Sequence, residues 1–209
     1  MKIRFLIADP CPATRAGIRS FVHGADGTEV VGEAGDAEQI LSLASELRPD
    51  KVVLDPRFDN KTPDPLAEVA LCRKLKSLTN PPVVSIYAAH DSPAELAAFA
   101  KAGADNYLHK SVSIEILEET WERTRSGESV WITAPDLDRA ARHMILVAQA
   151  MHLTNRQLDV LVLLLRRYSD AQVAKKLHIT LQTAKNHNTN IFRKVEVKNR
   201  QELQDKFLT

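Results

Sequence analysis

LTNRQLDVLVLLLRRYSDAQVAKKLHITLQTAKNHNTNIFRKVEVKNR, running from Leu153 to Arg200, decides the architecture of the second half of the chain. Thr154, Ser169 and Thr180 each stand just before an apolar-periodic run. Their short side-chain oxygens suit the amides that the first turn of a helix leaves unpaired, so helices are predicted over 154–166, 170–177 and 181–194, with a further one over 200–208. Leu158, Leu161, Val162 and Leu165 share one face of the first, and Val173, Ala174 and Leu177 one face of the second. His178 and Ile179 leave space only for a tight turn before Thr180. Helix, short turn, helix is the shape that seats a second helix in a major groove. In that second helix Ala184, His187, Ile191 and Val195 recur at core spacing, and Gln182, Lys185, Asn186, Thr189 and Arg193 form the opposite stripe. The polar side chains of that stripe have lengths suited to base edges and phosphates. His187 has no His, Cys or carboxylate four residues away on its own face, so it reads as packing and not as a metal ligand.

Charge supports the same division of labour. Residues 151–209 carry 11 Lys plus Arg against 5 Asp plus Glu, a net of +6, whereas residues 1–150 carry 17 against 22, a net of −5. The basic tail, not the acidic front, is the part suited to a polyanion. Between them, Ser126 to Pro135 combines turn residues with a short extended run, and a linker helix is expected over 136–150. The front alternates β-branched runs with helical segments, five times over. Strands are predicted at 3–8, 29–33, 51–54, 83–87 and 106–109, and helices at 15–22, 37–47, 65–78, 93–101 and 114–124. That order implies a five-stranded parallel sheet covered on both faces, with chemistry beyond the carboxyl ends of its strands. The expected domains are 1–127, a linker at 128–150, and 151–209.

Several classes of function drop out. The apolar run before Asp9, Phe5 to Ala8, spans four residues, too short for a signal peptide or a membrane span, and a cytoplasmic location is expected with no membrane partner. Cys11 and Cys72 lack metal-ligand spacing. No nucleophile–base pair, Gly-rich nucleotide loop or metal triad suggests an enzyme.

The quoted stretch resembles the LuxR-type helix-turn-helix of NarL and FixJ response regulators. The likeness runs through LT-x-R at Leu153 to Arg156, S-x-x-x-V-A-x-x-L at Ser169 to Leu177, I-T-x-x-T-x-K-N-H at Ile179 to His187, and V-K-N-R at Val197 to Arg200. It implies double-stranded DNA as partner, Lys185, Asn186 and Thr189 near bases, and Thr180, Thr183, Asn190 and Arg193 on the phosphate backbone. Gln157 stands where the family has Glu and His178 where it has Gly, departures that bear on local stability. The front resembles a response-regulator receiver, a flavodoxin-like (βα)5 fold. By that resemblance Asp55 sits at the phosphoacceptor position, Lys110 at the phosphate-binding lysine, Asp9 at the first of two Mg²⁺-binding acids, and Tyr107 at the aromatic that reorients on activation.

Three residues depart from the receiver pattern in the pocket. Pro10 replaces the second acid and removes an oxygen ligand from a hard-cation site. Tyr87 replaces the small hydroxyl residue that meets the phosphoryl group. Pro56 follows Asp55 and has no N–H to donate to a phosphoryl oxygen. The expectation is a transcription regulator whose receiver does not depend on phosphorylation. No cofactor is expected; Asp9 and Asp55 would be the ligands if Mg²⁺ bound, with Asp59 or Asp64 able to add an oxygen. A homodimer is expected because one small helix-turn-helix offers limited contact. A small molecule or protein effector is compatible with the sequence. Two other readings stay open: a conventional two-component regulator phosphorylated at Asp55, and an interaction module that docks another regulator.

Overall fold

The computed structural model describes residues 2–57, 64–89, 92–133 and 151–208. The chain forms two compact units, the first from residues 1–90 and 102–133, the second from residues 91–101 and 134–209.

The first unit is built on a parallel sheet. Its strands are β1 (Ile3–Ala8), β2 (Thr28–Ala34), β3 (Lys51–Leu54), β4 (Val83–Ala88), β5 (Asn106–His109) and β6 (Trp131–Ile132), in the spatial order β2-β1-β3-β4-β5-β6. Helices α1 (Pro12–Gly24), α2 (Ala37–Leu47), α3 (Pro65–Lys76) and α5 (Ile114–Arg125) belong to the same unit, while α4 (Pro93–Ala102) falls almost wholly in the segment grouped with the second. Helix starts follow local chemistry. Pro12 opens α1 with its φ already helical, and the side chains of Asp36, Asp64 and Ser113 accept first-turn amides of α2, α3 and α5. Phe5, Leu6, Ile7 and Ala8 of β1 are buried, as are Val52 and Leu54 of β3, because a sheet covered on both faces leaves its central strands no wet side.

The sheet keeps the five expected strands and adds a short sixth at its edge. The short extended run expected in the linker pairs with β5, Tyr107 beside Trp131 and Leu108 beside Ile132. Two residues are too few to display a period, so nothing in the pattern marked them as a strand. Tertiary contacts hold them: Tyr107 N donates to Val130 O at 2.9 Å, Val130 N donates to Asn106 Oδ1 at 3.0 Å, and the Tyr107 and Trp131 rings stack with centroids 6.0 Å apart. The expected helix over 136–150 lies outside the described residues.

The second unit contains α6 (Asn155–Leu165), α7 (Asp170–Lys176), α8 (Leu181–Lys194) and α9 (Arg200–Leu208). Thr154 and Ser169 form capping boxes with Gln157 and Gln172. Gln157 therefore performs the reciprocal bond that a Glu would, its Oε1 accepting from Thr154 N at 3.0 Å, and it also accepts from Lys194 Nζ at 3.0 Å. One apolar face was expected on α6, but Val160, Leu163 and Leu164 are buried together with the expected four. From Val160 to Leu165 the helix is apolar all round, and there it is buried all round. At its C-cap Arg166 pairs with the buried Glu95 of α4.

Candidate acidic pocket and nucleic-acid interface

The carboxyl ends of β1, β3 and β5 bring Asp9, Asp55 and Lys110 together across 101 residues of sequence. Each backbone is held by its neighbour strand, Asp9 N donating to Ala34 O, Asp55 N to Ala8 O at 2.8 Å and Lys110 N to Ala88 O at 2.8 Å. Asp9 and Asp55 are buried. Lys110 Nζ donates to Asp9 Oδ2 and to Asp55 Oδ2, both at 2.6 Å. The other oxygens are engaged too: Asp9 Oδ1 accepts from Cys11 N at 2.7 Å and Asp55 Oδ1 from Arg57 N at 2.9 Å. Burial pulls the Lys110 ammonium towards neutrality, but the hydrogen bonds and charges of Asp55 and Asp9 outweigh it and hold its pKa above the usual range.

The missing acid at Pro10 changes the charge count. Two carboxylates and one ammonium sum to −1; a third carboxylate would bring the sum to −2, the charge a divalent ion balances. Mg²⁺ needs close to six oxygens in an octahedron, and here all four carboxylate oxygens already accept hydrogen bonds. The donor set does not fit a resident Mg²⁺ without displacing Lys110. Asp64 is committed as the N-cap of α3, accepting from Leu66 N at 3.0 Å, and Asp59 lies outside the described residues.

Tyr87 lies beside the triad, its ring centroid 5.7 Å from Lys110 Nζ, and lines an apolar cavity of about 60 Å³ with Phe5, Phe21, Val53, Leu108 and Trp121. Burial pushes its phenol pKa up. Tyr107 is buried against Trp131, so an outward swing would break a stack and strip a ring that is 1% exposed. Pro10 and Pro56 each fall between a pocket aspartate and the amide that binds it, Cys11 N and Arg57 N respectively. Those two amides are spent on the carboxylates themselves.

The second region is α8. Thr180 caps it, its Oγ1 accepting from Thr183 N at 3.1 Å. Gln182, Lys185, Asn186, Thr189, Asn190 and Arg193 are exposed along one side, and Leu181 joins them. The Lys185 ammonium makes no hydrogen bond or ion pair with any described residue, while Asn186 accepts from Gln182 Nε2 at 3.0 Å and Asn190 accepts from Arg193 at 3.2 Å. Behind this face, Asn188 is buried where His187 was expected to be the core residue; His187 is half-buried. Asn188 Nδ2 donates to Asp170 Oδ1 at 2.8 Å, and Arg200 reaches the same oxygen at 2.5 Å, so one carboxylate ties α7, α8 and α9. The sequence reading missed this knot because an Asn beside a His offers no periodic signal to choose between them.

A flavodoxin-like switch fold with an acidic pocket, joined to a helix-turn-helix, defines the class of two-part regulators. Comparison places the chain within it. Residues 5–122 match the response regulator receiver domain and residues 151–207 match the bacterial regulatory proteins of the luxR family. The chain belongs to the response regulators, and it is a DNA-binding regulator of transcription. The response regulator protein VraR of Staphylococcus aureus (strain NCTC 8325) is 28% identical over 96% of this chain and 93% of that protein, as is VraR of Staphylococcus epidermidis. RcsB from Salmonella enterica serovar Typhimurium bound to promoter rprA superposes with a TM-score of 0.66 at 19% identity, covering 100% of both chains. A second RcsB structure gives 0.63 at 18%, covering 99% of this chain and 97% of that one. No helix among the described residues is long and apolar enough to cross a membrane.

Proposed function

We propose that this chain binds specific duplex DNA as a homodimer through the exposed face of α8, without requiring phosphorylation at Asp55. The observation that carries the second half is the closed triad: Lys110 holds both pocket carboxylates at 2.6 Å, and the remaining carboxylate oxygens are bound to backbone amides. Phosphoryl transfer relies on a divalent ion and placed donors to stabilise developing charge. Pro10 and Pro56 lower that supply, and half-buried Tyr87 replaces a short movable hydroxyl with a phenol against the α1–α5 side. Lys185, Asn186 and Thr189 approach bases, and Thr180, Thr183, Asn190 and Arg193 hold the phosphate backbone. Their exposure on one side of α8 supports those roles. RcsB has been seen as dimers on DNA, which favours the same assembly here.

A second reading is phosphorylation at Asp55, favoured by RcsB having bound its promoter in the presence of the phosphomimetic BeF3⁻. Mg²⁺ with acetyl phosphate or beryllofluoride separates the two. The proposal expects no adduct and less than about a twofold change in DNA affinity. A stoichiometric adduct with a gain of about tenfold or more, abolished by Asp55→Asn, establishes the second reading instead.

A further inference from the structure

We infer that Leu181 reads the C5-methyl group of a thymine in the major groove, a step that rests on α8 being the DNA-contacting helix. The exposed positions of α8 are Leu181, Gln182, Lys185, Asn186, Thr189, Asn190 and Arg193, one unbroken side in which a single residue is apolar. Leu181 is 46% exposed, and among the described residues the other large exposed hydrophobics are Ile114 and Ile116, both on α5. The Leu, Val and Phe side chains of the helix-turn-helix core are buried beneath it, Leu158, Leu161, Val173, Val195 and Leu203 among them.

Capping does not ask for leucine there. Thr180 already caps the helix, and the first helical position tolerates most residues, with acids preferred because they complement the helix dipole. An acid would repel phosphate, and an uncharged polar residue would cost no apolar exposure. The exposed part of the leucine gains only when something apolar covers it. On the base edges of the major groove the apolar feature is the thymine methyl. The neighbours commit the occupant to nucleic acid instead of a protein surface, since Gln182 and Lys185 flank the leucine with donors, Asn186 and Arg193 continue the same side of the helix, and the segment carries a net charge of +6. Leu181 lies one turn before Lys185, about 6 Å along the axis, which places its thymine within about two base pairs of the base that Lys185 meets.

The test uses the full chain and an operator selected from random duplexes. Each thymine of the selected site is replaced in turn by deoxyuridine, which removes the methyl alone, and affinity is measured for the natural chain, Leu181→Ala and Leu181→Met. The expected result is one thymine per half-site whose replacement weakens binding by about fourfold, the factor that burying one methyl group contributes. That penalty disappears in Leu181→Ala, persists in Leu181→Met, and leaves the penalties at other thymines unchanged. Because the side chain is exposed, Leu181→Ala keeps the melting temperature, and this is measured alongside. Deoxyuridine penalties identical in the natural chain and Leu181→Ala overturn the inference alone, as does an equal loss on every duplex. Failure to select any duplex overturns the DNA-binding reading of α8 and the inference with it.

Discussion

The pocket at the ends of β1, β3 and β5 and the outer side of α8 are both polar and both built from motif residues, yet they treat their charges in opposite ways. In the pocket, Asp9, Asp55 and Lys110 consume one another at 2.6 Å, both carboxylates buried. On α8, Lys185 stands exposed and unpaired among the described residues, with Asn186, Thr189 and Arg193 beside it. A group already bonded inside the protein contributes to the fold and must give that up before it serves a ligand; a group left in water has little to give up. The difference teaches that matching a family position says which chemistry a residue once served, whereas its present bonds say what it is free to do.

The largest effect that separates the two regions is expected from Lys110→Ala. Removing the ammonium leaves two buried carboxylates facing each other, and the first unit should lose about 3 kcal/mol, the lower end for a broken buried pair, because the lysine side chain is 18% exposed. Both tryptophans, Trp121 and Trp131, lie in that unit, so urea titration followed by fluorescence reads it directly. The pKa of Lys110 is raised above its ordinary 10.5. Its contribution is therefore full below that pH and is lost as pH climbs through the raised value, so the gap between the natural chain and Lys110→Ala closes in strong alkali. An unchanged urea midpoint breaks the comparison.

Lys185→Ala should do the converse, leaving urea unfolding untouched and costing about 1–3 kcal/mol of specific DNA affinity if the ammonium meets a base, with the salt slope reduced by about one if it meets phosphate. Filter binding across a salt series distinguishes these outcomes, and an affinity equal to that of the natural chain at every salt concentration removes Lys185 from the interface. The smallest effect sharpens the picture behind α8. His178 adopts a φ of +52° in the turn where glycine is the family's residue. His178→Gly should stabilise the second unit by at most about 1 kcal/mol, the left-handed penalty less the extra backbone entropy of glycine. Calorimetry of the full chain measures it, and a destabilised variant would show that the imidazole contributes more than the strain costs.

Much of this was legible beforehand for a physical reason. Strands β1, β3 and β5 and helices α2, α8 and α9 have the expected bounds, because their signals are local: apolar runs between turn residues, or a cap followed by helical spacing. The pocket residues were legible individually, each at a strand end, but their closure by Lys110 was not, since a 2.6 Å contact between residues 101 apart leaves no trace in either neighbourhood. Asn188 and the Asp170 knot escaped for the same reason. Leu181 escaped differently: sorting the helix into an apolar core and a polar stripe leaves no place for an apolar residue on the wet side.

The two-residue strand β6 decides where this protein can be divided. Without it the hydrogen-bonding edge of β5 would face solvent, the arrangement by which sheets recruit one another into aggregates. Val130, Trp131 and Ile132 cover that edge and shelter Tyr107, so a fragment trimmed at residue 127, where the turn residues invite a cut, would expose an adhesive seam, and one carried on to Thr133 would keep it sealed. Solubility of the isolated front half thus hinges on six residues that, by sequence, belong to the connector.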